Sequence, residues 1–327
     1  MKLIISILLF LLANTIVAQY EIYSTGSFGE LLECQTTNCS SINHGTFYGF
    51  LDIAITPSGT LYGTADSLYL IDPVNSSITN IGDIRTNSGI SVIGVGLVAL
   101  NDDYLIGDHG DTLVKISVST GIAEKIGYIG HYCGGDFAFY DNKLYMADEV
   151  NQLIEIGLDP LTQSVTYVNN IGVMGTDYGA VYALFTTFIS CGTNEKGLFA
   201  IDYDKVYQID PSNASAVSRC SLGIHESFGG ASLYDFDIEY EIPIVPNVFT
   251  PNRDGINDFF ELNFSYQSVV IFNRWGNKVY ESKDNSHNWD GKTTAGVDVP
   301  AGTYYYIIHR DDCGQSIMDK GFLTLIR

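Results

Sequence analysis

Between residues 20 and 240, short apolar runs alternate with glycine- and aspartate-rich turns, and no convincing amphipathic helical stretch follows the N-terminus. One unit recurs: an apolar pair, a turn, a Leu-Tyr-like strand, an Ile-Asp-Pro turn, then a strand ending in Ile-Gly. It reads TLYGTADSLYLIDPVNSSITNIG to Gly82, DYLIGDHGDTLVKISVSTGIAEKIG to Gly127 and KLYMADEVNQLIEIGLDPLTQSVTYVNNIG to Gly172. GLFAIDYDKVYQIDPSNASAVSRCSLG, to Gly223, and EIYSTGSFGELLECQTTNCSSINHG, to Gly45, are further copies. The closing glycines are 37, 45, 45 and 51 residues apart. Between copies an apolar–small–apolar element is centred on Ala54, Ala99, Ala138, Ala183 and Ser232. Four strands in roughly 40–50 residues is the spacing of a β-propeller blade, and a small central residue suits an innermost strand where blades converge.

The phase of the repeat carries topology. The chain begins with three outer strands lacking an inner one, and the region ends on an inner strand, GGASLYDF, lacking outer ones. Pairing Gly230–Phe236 beside the N-terminal set closes the ring without a free edge, which removes a template for aggregation. The expected class is all-β: a five-bladed β-propeller over residues 20–240, followed by a smaller domain.

The N-terminus reads as a targeting segment. Lys2, ten nearly pure apolar residues from Leu3 to Leu12 and the small Ala18 predict a signal peptide over residues 1–18, with a mature chain beginning near Gln19. Asn14 and Thr15 interrupt the run well short of the roughly 20 residues a membrane span needs, so no transmembrane segment is expected in the mature chain. No Cys follows the run, which disfavours a lipid anchor.

After a Pro-containing linker at residues 241–245, the blocks PNVFTPNRDGINDFFEL, VVIFNRWGNKVYES, NWDGK, VPAGTYYYII and KGFLTLIR follow in order. They resemble the gliding motility-associated C-terminal domain, the type B sorting domain of the type IX secretion system of Bacteroidota, across nearly all of residues 246–327. The resemblance implies an Ig-like β-sandwich that directs a periplasmic passenger across the outer membrane, through the secretion machinery and an outer-membrane partner, to the medium or the cell surface. It rests on Pro251, Asn252, Asp254, Gly255, Asn257, Asp258, Trp275, Gly276, Trp289, Asp290, Gly291, Gly302, Tyr304, Lys320 and Gly321. Arg253 departs from it, since the family usually has Gly there. Read as residues, Val269–Phe272 and Thr303–Ile308 are strand material, Trp275 and Trp289 fill a small core, and the Asp-Gly pairs at 254–255 and 290–291 set turns. Asn252, Asp254 and Asp258 have the alternate-residue spacing of part of a calcium loop, although a solvated turn explains the same residues; no other cofactor is implied.

Net charge is −22, nearly all of it before the tail, so phosphate backbones are excluded as ligands and no nucleic-acid partner is expected. Export permits disulfides, and Cys34 with Cys39 brackets a turn-like QTTN, predicting a hairpin staple; Cys133, Cys191, Cys220 and Cys313 stay unpaired by sequence. His44, His131 and His225 fall in connections leading to inner strands, and His109 in the loop between second and third strands, which places all four on one face. Asp52 and Asp136 begin inner strands on that face, near the mouth of the channel. Asp52, His109, His131, Asp136 and His225 are therefore the candidate ligand-binding residues, with no catalytic residue assigned. No GxSxG elbow, HExxH or phosphate-cradling loop occurs. The reading is an exported binding or surface-display module for an unknown extracellular ligand. The alternative is a secreted hydrolase using a carboxylate or metal site at the propeller mouth.

Overall fold

The computed structural model describes residues 22–36, 39–92, 94–189, 195–223, 226–236, 244–262, 264, 266–283, 288–312 and 315–327. The expected signal peptide, His225, Cys191, Cys313 and most of the expected linker lie outside these residues. The chain divides into two compact units, Tyr20–Ile242 and, by itself, Pro243–Asp311 with Gln315–Arg327.

In the first unit the strands run β1 (Ile22–Gly26), β2 (Glu30–Cys34), β3 (Ser41–Thr46); β4 (Asp52–Ile55), β5 (Leu61–Thr64), β6 (Leu68–Asp72), β7 (Ser77–Gly82); β8 (Arg85–Thr86), β9 (Leu97–Ala99), β10 (Tyr104–His109), β11 (Thr112–Ser117), β12 (Ile122–Tyr128). They continue as β13 (Cys133–Tyr140), β14 (Lys143–Asp148), β15 (Gln152–Leu158), β16 (Val165–Val173); β17 (Val181–Phe188), β18 (Lys196–Asp202), β19 (Lys205–Ile209), β20 (Ala216–Ser221); and β21 (Ser227–Ser232). Five sheets result: β21-β1-β2-β3, β4-β5-β6-β7, β8-β12-β11-β10-β9, β13-β14-β15-β16 and β17-β18-β19-β20. These are numbered one to five below. Each turns through short hairpins that its Gly, Asp and Asn residues permit.

The last strand pairs antiparallel with the first, with Ile22 opposite Ser232 and Tyr23 opposite Ala231, but its bounds are corrected from Gly230–Phe236 to Ser227–Ser232, because Leu233–Asp235 turn into a short 3-10 helix capped by Ser232. A separate apolar cluster fills every junction between neighbouring sheets. Leu31 meets Ile53 and Leu61 between sheets one and two, and Leu68 meets Leu97 and Leu105 between two and three. Ile106 meets Phe137 between three and four, Leu153 meets Leu198 between four and five, and Ile22 meets Phe185 and Phe199 between five and one. The cycle of buried contacts is therefore closed. Ala54, Ala99, Ala138, Ala183 and Ser232 are all buried on or beside the innermost strands β4, β9, β13, β17 and β21.

Inner strands approach one another too closely for side chains in places. A Cβ on Gly135 would overlap the Val181 carbonyl, and one on Gly229 would overlap Asp52. Backbone cannot yield to make room, so glycine is the residue that fits.

The second unit forms one five-stranded sheet, from β22 (Val248–Phe249), β23 (Ser268–Phe272), β24 (Lys278–Lys283), β25 (Gly302–Asp312) and β26 (Gln315–Leu325), in the order β22-β26-β25-β23-β24. Its core gathers Phe249, Phe260, Ile271, Trp289, Ile308 and Leu323. Trp289 is 1% exposed and donates its indole N–H to the Lys292 carbonyl at 2.6 Å. The expectation that Trp275 shares this core is corrected: it is 70% exposed, in the turn between β23 and β24. Asn273 fixes that turn by accepting the Trp275 and Asn277 amides, and the Arg274 guanidinium lies 4.2 Å from the Trp275 ring centroid.

The hairpin staple is also corrected. Cys39 is bonded to Cys220, not to Cys34, with Cα atoms 6.0 Å apart. Cys34 sits opposite Ser41 in the β2–β3 ladder and is buried in the junction between sheets five and one, as an unpaired thiol. The ladder carries the Cys34 side chain inward, while Cys39 lies in the connecting loop at φ +55° and reaches β20 of the neighbouring sheet. The bond thus joins outer parts of the sheet that closes the ring and the sheet before it. It spans 181 residues, and on the chain-entropy account such a loop stabilises by about 5 kcal/mol. Cys220→Ser is expected to lower the urea midpoint markedly, and reductant to have the same effect on the wild type but none on the variant. Equal midpoints for the two proteins under oxidising conditions would contradict this.

Candidate functional site

Strand alternation brings the starts of the inner strands and the hairpins between second and third strands to one end of the ring. Hydrogen bonds join the two classes of loop there. Asp108, next to last in β10, accepts the Val95 and Gly96 amides at 2.9 Å each, and Asp202, ending β18, accepts the Tyr178 and Gly179 amides at 2.8 and 3.0 Å. Asp148, at the same position in sheet four, accepts the Val150 and Gln152 amides and meets His131 Nδ1 at 3.0 Å. These acids brace the connections into the inner strands. The sequence signal was available, because Asp stands at or next to the end of the second strand in GDH, ADE and IDY.

The histidines divide. His109 is exposed at the end of β10 and His131 is half-buried in the connection to β13, so both belong to this end. His44 does not lie in such a connection: it is within β3, with Nε2 2.7 Å from Glu33 on the neighbouring strand. Among the described residues no three His, Cys, Asp or Glu side chains are grouped to hold a metal ion.

Asp52 and Asp136 are brought together, but inside the ring rather than at a wet mouth. Both are fully buried. Asp52 on β4 accepts the Ile53 amide at 2.7 Å and the Leu97 amide of β9 at 2.6 Å. Asp136 on β13 accepts the Phe137 amide at 2.6 Å, the Leu184 amide of β17 at 2.9 Å and the Gly230 amide of β21 at 3.2 Å. The two carboxyls also hydrogen-bond to each other, which requires a proton between them. Burial, then the charge and hydrogen bond of Asp136, raises Asp52 well above the usual carboxyl range. Burial pushes Asp136 up to about 8, against the opposing pull of its hydrogen bonds. Nearby, burial also raises Asp235, which accepts the Thr186 amide at 2.7 Å. A pair so enclosed has no room for a sugar between acid and nucleophile.

What the sequence reading missed is the aromatic character of this end. Phe28, Tyr48, Tyr128, Tyr132, Tyr178 and Tyr203 are exposed in its loops and strand ends, drawn from around the ring. At the opposite end Tyr104 is exposed, among turns rich in Asp, Asn, Ser and Thr. The signal was the aromatic residue just before or after a turn glycine, as in SFG, FYG and DYG.

In the second unit the candidate calcium residues form an interlocked turn. Asp258 accepts the Arg253 and Gly255 amides at 2.5 and 2.8 Å, Asp254 accepts the Ile256 amide and the Asn252 side-chain N–H at 2.8 Å each, and Asn252 Oδ1 accepts the Asp254 amide at 3.0 Å. Arg253 stands at φ +67°, in the left-handed region. Gly291, at φ +77°, packs against Pro251 and Leu325, so separate blocks of the C-terminal pattern meet in one core. Lys292 Nζ bonds Asp290 at 2.6 Å beside it.

Residues 243–325 match the CHU_C Type IX secretion signal domain. The chain therefore carries a type IX secretion signal, which marks it as exported cargo destined for the cell surface or the medium. No helix among the described residues is long and apolar enough to cross a membrane. No curated protein matches the chain. Among solved structures, it is similar to an auxiliary nutrient binding protein from Bacteroides thetaiotaomicron at 11% identity and a TM-score of 0.42, covering 68% of this chain and 63% of that one. It is similar to PorZ, a surface component of the type IX secretion system of Porphyromonas gingivalis, at 11% identity and a TM-score of 0.28, covering 94% of this chain and 51% of that one. The chain thus spans between half and two thirds of the length of these two proteins. The likeness is distant.

Two measurements follow from the site. Because Asp136 and Asp52 bind protons more tightly folded than unfolded, their contribution is fully present below about pH 4 and is lost as pH rises through about 8. Asp108, pushed by burial up to about 6, acts in the same direction. The thermal midpoint is expected to fall from pH 5 to pH 9, and less steeply in Asp136→Asn; a midpoint that rises over this range would contradict the assignment. In the second unit, Arg253→Gly relieves left-handed strain of about 1–2 kcal/mol but adds unfolded-state entropy, for a net gain of about 0.5–1 kcal/mol. Urea unfolding of the isolated C-terminal domain checks this, and a loss of stability would contradict it.

Proposed function

We propose that residues 20–240 form a five-bladed β-propeller passenger that acts as a non-catalytic binding or surface-display module. In this reading residues 1–18 are its signal peptide, 241–245 a linker and 246–327 an Ig-like type B sorting domain that engages the secretion machinery and an outer-membrane partner. The observation that carries the binding role is the gathering of exposed aromatic rings at one end of a ring whose axis is plugged by buried acids. Exposed tyrosines combine apolar area with a polar tip, the combination that binding surfaces use. The closed cycle of five sheets and five apolar junctions supports the propeller.

For the tail, the Tyr304 hydroxyl donates to the Pro300 carbonyl four residues upstream at 2.7 Å, a back-bond that resembles the tyrosine corner of Ig-like sandwiches. The exposed Arg274–Trp275 hairpin tip is the surface this reading presents to the secretion machinery.

Cell fractionation tests the division of labour. Deleting residues 246–327 is expected to leave a folded passenger stranded in the periplasm, because each unit has its own apolar core. Passenger reaching the medium or the surface without its tail would contradict the sorting role. Passenger that unfolds on deletion would contradict the domain boundary.

A further inference from the structure

At the aromatic end, sheet five carries two neighbouring tyrosines. Tyr178, in the connection from β16 to β17, and Tyr203, in the β18–β19 turn, are both exposed, with ring centroids 5.1 Å apart and planes at 41°. They are held in place from below. The buried Asp202 accepts the Tyr178 amide, the Tyr207 hydroxyl accepts the Asp177 amide at 3.2 Å, and the Lys205 ammonium lies 5.6 Å from the Tyr178 ring centroid. Asp202 Oδ1, buried beneath the loop, has no hydrogen-bond partner among the described residues.

The backbone adds a separate sign. Tyr203 sits at φ +64°, while the matching turns of sheets one, three and four place Gly29, Gly110 and Asn151 in the left-handed region. Left-handed backbone costs a residue with Cβ about 1–2 kcal/mol, a cost this turn retains at Tyr203.

We propose that Tyr178 and Tyr203 form a stacking shelf for a neutral polysaccharide; this rests on the reading of the aromatic end as a binding face. The C–H faces of a pyranose ring are weakly positive and meet the negative face of an aromatic ring, while hydroxyls at the ring edge exchange hydrogen bonds with the tyrosine hydroxyls. Charge selects among ligands. A net charge of −22 opposes nucleic acids and acidic glycans. Lys205 pairs with Asp177 beside the rings and Asp202 is engaged by backbone amides, so the shelf offers ring surface rather than free carboxylates for a cationic peptide. A surface shelf also suits an internal stretch of a polymer better than a small molecule, which needs enclosure.

The test is affinity electrophoresis of the full chain in native gels containing galactomannan, xyloglucan or soluble starch, with alginate and polylysine as charged probes. Retardation by at least one neutral polysaccharide is expected, weakened about tenfold or more in Tyr178→Ala/Tyr203→Ala. Leu161→Ala, in a turn at the opposite end, is expected to bind as the wild type does. Circular dichroism of each variant separates lost binding from lost fold. No retardation by any neutral polysaccharide, or retardation unchanged in the folded double variant, would overturn the proposal. Binding of alginate or polylysine that the double variant abolishes would overturn the polysaccharide assignment while leaving the binding face intact. Polysaccharide binding untouched by both the double variant and Tyr128→Ala/Tyr132→Ala would overturn the face as well.

Discussion

Five strands that converge on one axis leave almost no space for side chains, and two buried carboxyls occupy what remains. Asp52 ties β4 to β9, Asp136 ties β13 to β17 and β21, and the proton between them joins the two sets. All five innermost strands are thereby linked through a single hydrogen-bonded pair. Buried carboxyls without partners would be costly; here each carboxyl has one oxygen on the amide of the next residue and the other on an amide of a neighbouring strand, so the same groups that would destabilise an open core specify a closed one. The close glycine contacts at Gly135 and Gly229 and the pairing of β21 with β1 belong to this geometry.

A sealed axis moves function outward. Acids that might have served chemistry are committed to holding strands, and those at or next to the ends of β10, β14 and β18 brace the loops above them. Braced loops make a rigid platform, and rigid aromatic side chains on a platform lose little entropy on binding. The Cys39–Cys220 bond reinforces the ring near its point of closure, as suits a protein that must survive outside the cell. The C-terminal unit carries its own core around Trp289 and the signal for export.

The architecture was largely legible because repetition multiplies weak local signals. No single Leu-Tyr or Ile-Gly segment defines a strand, but the recurring closing glycines and the small central residues placed the inner strands. The phase of the repeat placed β21 beside β1. Side-chain partnership was less legible, since it depends on contacts between distant segments. Cys39 reaches Cys220 rather than the nearer Cys34 because ladder alternation points Cys34 inward. Asp52 and Asp136 read as polar residues at a mouth, and only the convergence of strands shows them enclosed by amides from other sheets. Trp275 read as core by residue type, yet a turn held by Asn273 sets it in solvent.

Native-state hydrogen exchange at the Leu97, Leu184 and Gly230 amides tests the axial linkage most directly. If the two carboxyls join the inner strands into one cooperative ring, all three amides exchange only through global unfolding, with a common dependence on denaturant. Asp136→Asn then lowers the protection of all three together, including Leu97, which it does not touch. Exchange of any one of them through a local opening of much lower free energy, with the other two still protected, would contradict the linkage.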